Sequence, residues 1–350
     1  MADAAPTRRY RVVQWTTGNI GSRAMRAVLE HPAMDLVGVY VHSASKAGRD
    51  AGELCGTGPT GVLATDDPEA IAALGADCVL HMPQDCDVDA LCALLSSGAN
   101  VVTTRAEFHR PASMDPARRA QVEAACERGR TSIHSTGSSP GFITEAVPFV
   151  LSSLQRRLDL LTIDEFADLS RRPSPELLFD LMGFGRDPAA FDPARWAHGA
   201  ASFGPSLQVV ADALGLPLDS VEGSGKVALA RRTTVIAAGT IETGTVAAQQ
   251  MVVSGMRGGR PLLRFRSNWY CTDDLEPGWE LRPTGWRVVV DGDTPLDVDL
   301  RLAVPIERMG ELSPNFTANR AVNAVPAVCV AGPGIRTSVE LPQIVPVLGT

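Results

Sequence analysis

A glycine-containing turn near the N-terminus has the chemistry of a ligand site. A β-rich run, Arg-Val-Val-Gln-Trp, occupies residues 11–15, and Gly18 and Gly21 follow it at the start of a helical pattern. A strand, a glycine turn and a helix N-terminus in this order direct backbone N–H groups and the positive end of the helix dipole towards an anion such as a phosphate. Gly18 would let the backbone approach that phosphate, and Gly21 would let the helix pack against the strand.

This turn matches the dinucleotide fingerprint G-x-G-x-x-G incompletely, because Thr16 stands where the first glycine belongs. Its position after a strand and at a helix start nevertheless favours a dinucleotide. The residues expected to hold the cofactor at this turn are Thr17, Gly18, Asn19, Ile20 and Gly21.

The loop after the second predicted strand indicates which dinucleotide binds. An NAD enzyme places an acid on the ribose 2′-hydroxyl about 20 residues beyond the glycine turn, but no Asp or Glu occurs between Leu36 and Arg49. Hydroxyl groups and cations occupy the loop instead, as a 2′-phosphate requires. We therefore expect NADP(H) to be used at least as well as NAD(H), although a solvated loop with scattered charge is the alternative. The candidate contacts are His42, Ser43, Lys46 and Arg49.

The loop after the fifth predicted strand carries the densest set of chemical groups in the chain. Residues 103–111 read Thr-Thr-Arg-Ala-Glu-Phe-His-Arg-Pro. A carboxylate at the mouth of a nicotinamide site, here Glu107 beside apolar Phe108, is suited to exchanging protons with a substrate. The alternative is that Glu107 pairs with Arg105 or Arg110 at the surface, and the residues alone leave these two interpretations evenly balanced.

Further polar residues are expected near the nicotinamide. His81, Met82 and Pro83 follow the fourth predicted strand, and Thr104 follows the fifth. We interpret His81 as a cofactor contact in preference to a catalytic group. Asn323, on a helix predicted at residues 315–326, either faces the nicotinamide amide or is a helix residue without a ligand.

A serine hydrolase and a cysteine-dependent aldehyde dehydrogenase are both disfavoured. Gly137, Ser139 and Gly141 have the G-x-S-x-G spacing, but Pro140 would remove the oxyanion N–H that follows the nucleophile. None of the seven cysteines follows a strand in an activating loop.

The elements that must position these residues alternate between strand and helix in the first 150 residues. Repeated βα units predict an α/β fold with a doubly wound parallel sheet, whose ligands sit at the carboxyl ends of the strands. Asp115 followed by Pro116 predicts a helix start, and that helix ends near Gly129. The predicted strands after the first are Met34–Ser43, Ala76–Met82, Ala99–Thr104 and Thr131–Ser135.

The middle of the chain changes character and predicts a second, α+β domain with an open mixed sheet. Helical pieces are expected within Arg171–Gly223. We expect a dinucleotide-binding domain at residues 1–148, completed by 315–350, and a substrate and dimerisation domain at 149–314. The predicted strands here are Ile163–Ser170, Ser224–Ile241, Val246–Val253, Arg260–Trp269, Gly285–Asp291 and Pro295–Val304.

Composition narrows the class of protein. The 350 residues are 45% hydrophobic and 21% charged, which is typical of globular domains. A net charge of −8 disfavours binding to nucleic acid or to an anionic membrane. No apolar core of a signal peptide is present, and the odd cysteine count without C-x-x-C favours reduced thiols, so we expect a cytoplasmic protein. No metal site is predicted.

Several of these motifs together resemble the family named after dihydrodipicolinate reductase, which includes 2,4-diaminopentanoate dehydrogenase and the native amine dehydrogenases. They are Thr-Thr-Gly-Asn-Ile-Gly, His-Met-Pro, the Glu107 loop, Gly-Ser-Ser-Pro-Gly-Phe and Asn-Arg-Ala-Val-Asn-Ala-Val-Pro. The resemblance implies a Rossmann domain, a second α+β domain, an NAD(P)H cofactor and a homodimer. It also implies that Glu107 is the acid/base and that Phe142 lines the substrate cavity.

The resemblance does not extend to dihydrodipicolinate itself as substrate. The reductases that act on it carry a His-His pair and a K-x-D-x-P-S-G-T motif, and both are absent here. The favoured hypothesis is reductive amination of a ketone or aldehyde with ammonia, or the reverse amine oxidation. A non-catalytic NADP-binding sensor and a reductase of another cyclic imine or carbonyl compound are the alternatives. Further candidates for the substrate pocket are Phe108, Glu145 and Phe166.

Overall fold

The computed structural model describes residues 9–191 and 194–348, which form two units. One unit comprises the chain up to Phe142 and from Pro314 onward, and the other is Ile143–Ser313. The expectation about a signal peptide concerns residues 1–8, which lie outside the described residues. Among the described residues, no helix combines the length and the apolar character needed to cross a membrane.

The first unit alternates strands and helices. Its strands in order are β1 (Tyr10–Trp15), β2 (Met34–Tyr40), β3 (Ala64–Thr65), β4 (Cys78–His81), β5 (Asn100–Thr103) and β6 (Ser132–Ser135). The helices between them are α1 (Asn19–Leu29), α2 (Ala51–Cys55), α3 (Pro68–Ala72), α4 (Val88–Ser96) and α5 (Pro116–Gly129). Both faces of this sheet are covered, because Val12 packs in one apolar cluster and its neighbour Val13 in another.

Local capping chemistry determines where several helices begin. The side chain of Asp115 accepts a hydrogen bond from the backbone N–H of Arg118, and Pro116 occupies the first turn of α5. The helix start and end predicted at Asp115 and Gly129 are therefore confirmed. Asp67 and Asp87 cap α3 and α4 in the same way.

The second unit is built on a mixed sheet. It begins with α6 (Val147–Ser152) and contains one long helix, α7 (Ala194–Ala213), which packs on one face of the sheet. The rings of Phe203 on α7 and Phe265 on the sheet stack with centroids 4.1 Å apart. The strands are β7 (Leu158–Asp168), β8 (Ser220–Ala230), β9 (Thr234–Ile236), β10 (Gly239–Ile241), β11 (Val246–Arg257), β12 (Arg260–Tyr270), β13 (Leu275–Glu276), β14 (Gly285–Gly292) and β15 (Leu296–Arg301).

The order of the large sheet is β13-β8-β11-β12-β7-β14-β15, while β9 and β10 form a separate hairpin. Only the pair β7 and β12 is parallel among the described strands of this sheet. The open mixed sheet of the predicted second domain is therefore confirmed.

The C-terminal segment completes the first unit. Helix α8 (Ile306–Val330) packs Ala321, Val325 and Val328 into the apolar cluster that contains Val12. Strand β16 (Gly334–Arg336) then pairs in parallel with β6. The resulting parallel sheet has the order β16-β6-β5-β4-β1-β2-β3, and the predicted doubly wound α/β class is confirmed.

Several predicted elements differ in extent from the structure, and two of them differ most. Ser224–Ile241 is three strands, because the chain leaves the sheet at Arg231 and Arg232, which pair with Glu276 and Asp274 at the surface. The helix predicted at residues 315–326 instead runs from Ile306 to Val330 and contains both Pro314 and Pro326. The helix continues because the free energy gained by burying the residues beyond Pro326 exceeds the free energy lost with the backbone hydrogen bond that a proline removes.

Candidate active site

The glycine turn between β1 and α1 is shaped by a close approach of helix and strand. A Cβ atom at Gly21 would lie 2.2 Å from the carbonyl oxygen of Thr16 and 2.9 Å from Nε2 of Gln14. At Gly18 a Cβ atom would meet no described atom within 4 Å. The first turn of α1 has no acidic residue and no side-chain cap, so its N–H groups suit an anion. The packing role expected for Gly21 agrees with this geometry, and the phosphate role of Gly18 stays a prediction.

Thr16 adopts the backbone conformation that the missing glycine would favour. Its φ is +75°, in the left-handed region. The Thr16 backbone N–H donates to the carbonyl of Tyr40 at 2.9 Å, and its Oγ1 donates to the carbonyl of Met82 at 3.0 Å. Gln14 Nε2 also donates to the Thr16 carbonyl at 2.9 Å. These bonds hold the conformation, so the departure from the fingerprint does not change the turn.

The loop after β2 brings one of its two cations to the turn. Lys46 Nζ lies 3.1 Å from Oγ1 of Thr17, whereas Arg49 forms an ion pair with Glu53 at 2.7 Å. The hydroxyl oxygens of Ser43 and Ser45 are 2.7 Å apart. Lys46 and these hydroxyls therefore form a donor group beside the turn, and the Arg49 guanidinium is already engaged by a carboxylate.

An aromatic row lies at the carboxyl ends of β1 and β2. The rings of Trp15 and Tyr40 stack with centroids 3.8 Å apart, and exposed His42 meets Tyr40 edge-on at 5.1 Å. This row gives the loop after β2 a rigid base.

His81 is a buried, neutral histidine at the end of β4. Its Nδ1 lies 3.3 Å from Oγ1 of Thr103. Burial, and after it the positive charge of Arg105, lower the pKa of His81 to about 3. The ring is therefore neutral at neutral pH: it keeps one N–H and lacks the second proton of an imidazolium acid. Of the neighbouring candidates, Met82 and Thr104 are half-buried and Pro83 is buried.

Glu107 lies on a short 3-10 turn, Ala106–Phe108, that directly follows β5. Its Oε1 accepts a hydrogen bond from Arg105 Nε at 3.0 Å, and its side chain is 36% exposed. Within residues 9–191 and 194–348, Oε2 accepts no hydrogen bond. The anticipated pair with Arg105 therefore forms, and it leaves one carboxylate oxygen available to a substrate.

Arg105 is itself anchored to the neighbouring strand ends. Its backbone N–H donates to Thr103 Oγ1 at 3.2 Å, and Ser135 Oγ donates to its carbonyl at 2.7 Å. Its guanidinium also donates to the carbonyl of Gln84. Phe108 is 1% exposed and packs in the apolar core. The prediction that Phe108 lines a substrate pocket is therefore wrong. Its burial fixes the turn that carries Glu107.

The segment after β6 contains the Gly-x-Ser-x-Gly spacing without a nucleophile elbow. Gly141 has φ +120°, and Ser139 Oγ is buried with no hydrogen-bond partner in the described chain. The guanidinium of Arg320 on α8 lies 6.0 Å from the ring centroid of half-buried Phe142. Half-buried Asn323 is on the same helix.

Two of the predicted pocket residues belong to the second unit. Glu145 is buried and accepts a hydrogen bond from Ser206 Oγ at 2.7 Å. Phe166 on β7 lines a cavity of about 480 Å³ whose other walls are mostly polar, including Lys226 and Arg266. The remaining predicted site residues lie in the first unit.

Sequence reasoning missed Glu165, whose carboxylate is bound by the indole groups of Trp269 and Trp286. Two adjacent acidic residues, Asp164 and Glu165, inside a predicted strand were the signal available. Burial raises the pKa of Cys86 to about 11 and that of Cys271 to about 12, so neither is an activated nucleophile. The described residues contain no group of three or more His, Cys, Asp or Glu side chains arranged for a metal.

A parallel sheet with a dinucleotide turn, joined to a mixed-sheet domain, defines the class of two-domain NAD(P)-dependent dehydrogenases. Residues 12–107 match the family model described as dihydrodipicolinate reductase, N-terminus, and residues 191–350 match that of the 2,4-diaminopentanoate dehydrogenase C-terminal domain. The predicted resemblance to the dihydrodipicolinate reductase and 2,4-diaminopentanoate dehydrogenase families is therefore confirmed.

A named relative agrees with this assignment, and two solved structures share the fold. An amine dehydrogenase of Streptomyces virginiae is 29% identical over 344 residues, covering 94% of this chain and 95% of that protein. The solved structure of an amine dehydrogenase from Mycobacterium smegmatis has a TM-score of 0.78 at 22% identity and covers 97% of this chain and 98% of that one. GenD2 from gentamicin A biosynthesis, solved in complex with NAD, has a TM-score of 0.51 at 15% identity and covers 93% and 88% of the two chains.

Proposed function

We propose that the protein is an NAD(P)H-dependent oxidoreductase that acts on C–N and C=N bonds. Its reaction would be reductive amination of a ketone or aldehyde with ammonia, or the reverse oxidation of an amine. The observation that carries this proposal is the position of Glu107, directly after β5 at the carboxyl edge of the sheet that bears the dinucleotide turn. The named amine dehydrogenases of similar length support it.

The residues of the first unit fit a nicotinamide dinucleotide. The open space at Gly18 and the uncapped N-terminus of α1 suit the pyrophosphate, and Lys46 with Ser43 suits a ribose 2′-phosphate. When bound, the cofactor supplies or accepts the hydride. NADP(H) is the favoured form, because the loop after β2 presents donors and no free carboxylate.

Glu107 would perform the proton transfers of the reaction. In the reductive direction ammonia adds to the carbonyl carbon to give a carbinolamine, and the protonated Glu107 carboxyl donates its proton to the hydroxyl group. The C–O bond breaks, water leaves, and an iminium ion with an anionic Glu107 remains. In the reverse direction the Glu107 carboxylate accepts a proton from the attacking water. Arg105 positions the carboxylate through Oε1, and in the part of the chain that the structure describes Oε2 accepts no hydrogen bond.

Replacement of Glu107 tests this function. We expect Glu107→Gln and Glu107→Ala each to lower amine-forming turnover by about 10²–10⁴-fold while NADPH affinity stays within about threefold, because a proton-transfer group contributes that much. A panel of carbonyl compounds with ammonia, monitored by NADPH consumption, measures the effect. Glu123→Gln is the matched control, because Glu123 also pairs with an arginine but lies on α5.

Three results would contradict the proposal. Near-wild-type turnover in Glu107→Gln would make Glu107 a positioning residue at most. If wild-type protein binds NADPH but turns over no carbonyl compound or amine in the panel, a non-catalytic sensor becomes the better description. Turnover of carbonyl compounds or cyclic imines without ammonia would instead indicate the other alternative, a reductase of such compounds.

A further inference from the structure

The carboxylate of Glu165 is held by two tryptophan side chains in the second unit. Strand β7 lies between β12 and β14, and Glu165 is in register with Ser267 on one neighbour and Trp286 on the other. The indole N–H of Trp269 donates to Oε1 at 3.0 Å, and that of Trp286 donates to Oε2 at 2.9 Å. Both carboxylate oxygens are therefore fixed by strands on either side.

These two donors are neutral, so they leave the charge of Glu165 uncompensated. No Lys, Arg or His side chain within residues 9–191 and 194–348 forms an ion pair with it. The preceding residue differs: Asp164 points to the other face and makes a bidentate pair with Arg266, at 2.5 and 2.7 Å. The sheet therefore neutralises one of two adjacent carboxylates and leaves the other negative in a half-buried position.

We propose that Glu165 binds the cationic nitrogen of an alkylammonium ligand. A carboxylate offers about four lone pairs, and the two indoles occupy one on each oxygen, so one on each remains for the N–H groups of an ammonium ion. Half-buried Trp269 places an apolar ring beside the carboxylate, and the alkyl chain of such a ligand would lie along it. This site lies within the second unit and does not depend on the proposed reaction at Glu107.

The binding test uses tryptophan fluorescence, since Trp269 and Trp286 contact the carboxylate directly. Wild-type protein is titrated with n-pentylammonium chloride, and separately with 1-pentanol as a neutral molecule of similar shape, at constant ionic strength. We expect the ammonium to change the emission and to bind at least about tenfold more tightly than the alcohol. Glu165→Gln should weaken ammonium binding by about 10- to 100-fold. Glu222→Gln, an exposed position in the same sheet, is the matched control and should leave it unchanged.

A stability measurement separates this role from a structural one. In Glu165→Gln we expect the midpoint of thermal unfolding and the NADPH affinity to stay close to the wild-type values while ammonium binding falls. Equal ammonium affinity in wild type and Glu165→Gln, or equal binding of ammonium and alcohol, would overturn the proposal. If Glu165→Gln does not fold, Trp269→Phe replaces it: loss of most of the fluorescence response supports the site, and an unchanged response overturns it.

The outcomes also distinguish this inference from the proposed function. If ammonium binding depends on Glu165 but the protein turns over no amine, the result would support the ammonium site and contradict the proposed function. Amine turnover in a protein whose ammonium affinity is the same in wild type and in Glu165→Gln would support the proposed function and contradict the ammonium site.

Discussion

Lys46 and Arg49 illustrate how two cations of one loop acquire different roles at the scale of single residues. Both were candidates for a ribose 2′-phosphate. Arg49 precedes α2 and forms an ion pair with Glu53 on that helix, whereas Lys46 reaches the hydroxyl of Thr17 at the glycine turn. A cation already neutralised by a carboxylate offers less to a phosphate than one held only by neutral groups.

Lys46→Gln should therefore separate the two cofactors. We expect NADPH affinity to fall by about 10- to 100-fold, the equivalent of about 1.5–3 kcal/mol for one charged phosphate contact, while NADH affinity changes little. Fluorescence titration of the reduced cofactors measures this. Arg49→Gln is the control and should have the smaller effect on NADPH. If Lys46→Gln lowered the affinities for NADPH and NADH equally, the prediction that this loop binds the 2′-phosphate would be wrong.

His81 should make stability depend on pH. Its pKa is about 3 in the folded protein because of burial and Arg105, and about 6.5 in an unfolded chain. Between these two pH values the unfolded chain binds a proton on His81 and the folded protein does not. The contribution of neutral His81 to the free energy of unfolding is therefore fully present above about pH 6.5 and is lost as the pH is lowered towards 3.

Urea denaturation at pH 7.5 and pH 4.5 tests this. We expect His81 to account for about 2–3 kcal/mol of the wild-type loss at pH 4.5, and His81→Gln to abolish that part. Exposed His42→Gln is the control. An identical pH dependence in wild type and His81→Gln would contradict the assignment.

At the scale of elements, helix α1 is placed by its contact with the end of β1. The two glycines of the turn have separable roles, because only Gly21 lies against the carbonyl of Thr16. Packing between elements also accounts for the length of helix α8. The helix continues past Pro326 because Val328 is fully buried against the first sheet.

Gly21→Ala and Gly18→Ala form a matched pair. Gly21→Ala should destabilise the protein by about 1–3 kcal/mol, since a Cβ at 2.2 Å from a backbone oxygen forces the helix from the strand. It should also abolish dinucleotide binding. Gly18→Ala has space for its Cβ within the protein and a φ of −70°, so it should keep wild-type stability and lose only cofactor affinity. Thermal unfolding and NADPH titration measure both; equal stability of the two variants would contradict this division.

At the scale of the whole molecule, we predict a homodimer formed through the second sheet. Helix α7 covers the face that carries buried Met251 and Val253, and Val252 between them points to the opposite face and is half-exposed. That face also carries the Asp164–Arg266 pair. A wide sheet face of this kind is a common site of self-association.

Light scattering at micromolar concentration tests this prediction, and a monomeric mass would contradict it. Val252→Glu should shift the protein towards the monomer, because it places a charge in the expected interface. Val150→Glu, at a 58% exposed position on α6, is the control and should leave the mass unchanged. Loss of dimer in both variants would point to a different interface.

The sequence by itself determined what depends on near neighbours along the chain. Gly18 and Gly21 at the start of α1, Asp115 before Pro116, and the carboxyl-end position of Glu107 follow from local backbone chemistry and from the order of strands and helices. These features were sufficient for the α/β class, the dinucleotide turn and the family.

Only the tertiary structure decided what depends on residues far apart in sequence. Phe108 is a core residue because distant strands enclose it, and Glu165 is a bound carboxylate because Trp269 and Trp286 lie 104 and 121 residues further along the chain. Thr16 adopts a glycine-like conformation because Met82, 66 residues away, accepts its hydrogen bond. Burial and hydrogen-bond partners of this kind arise from strand pairing, which no local pattern encodes.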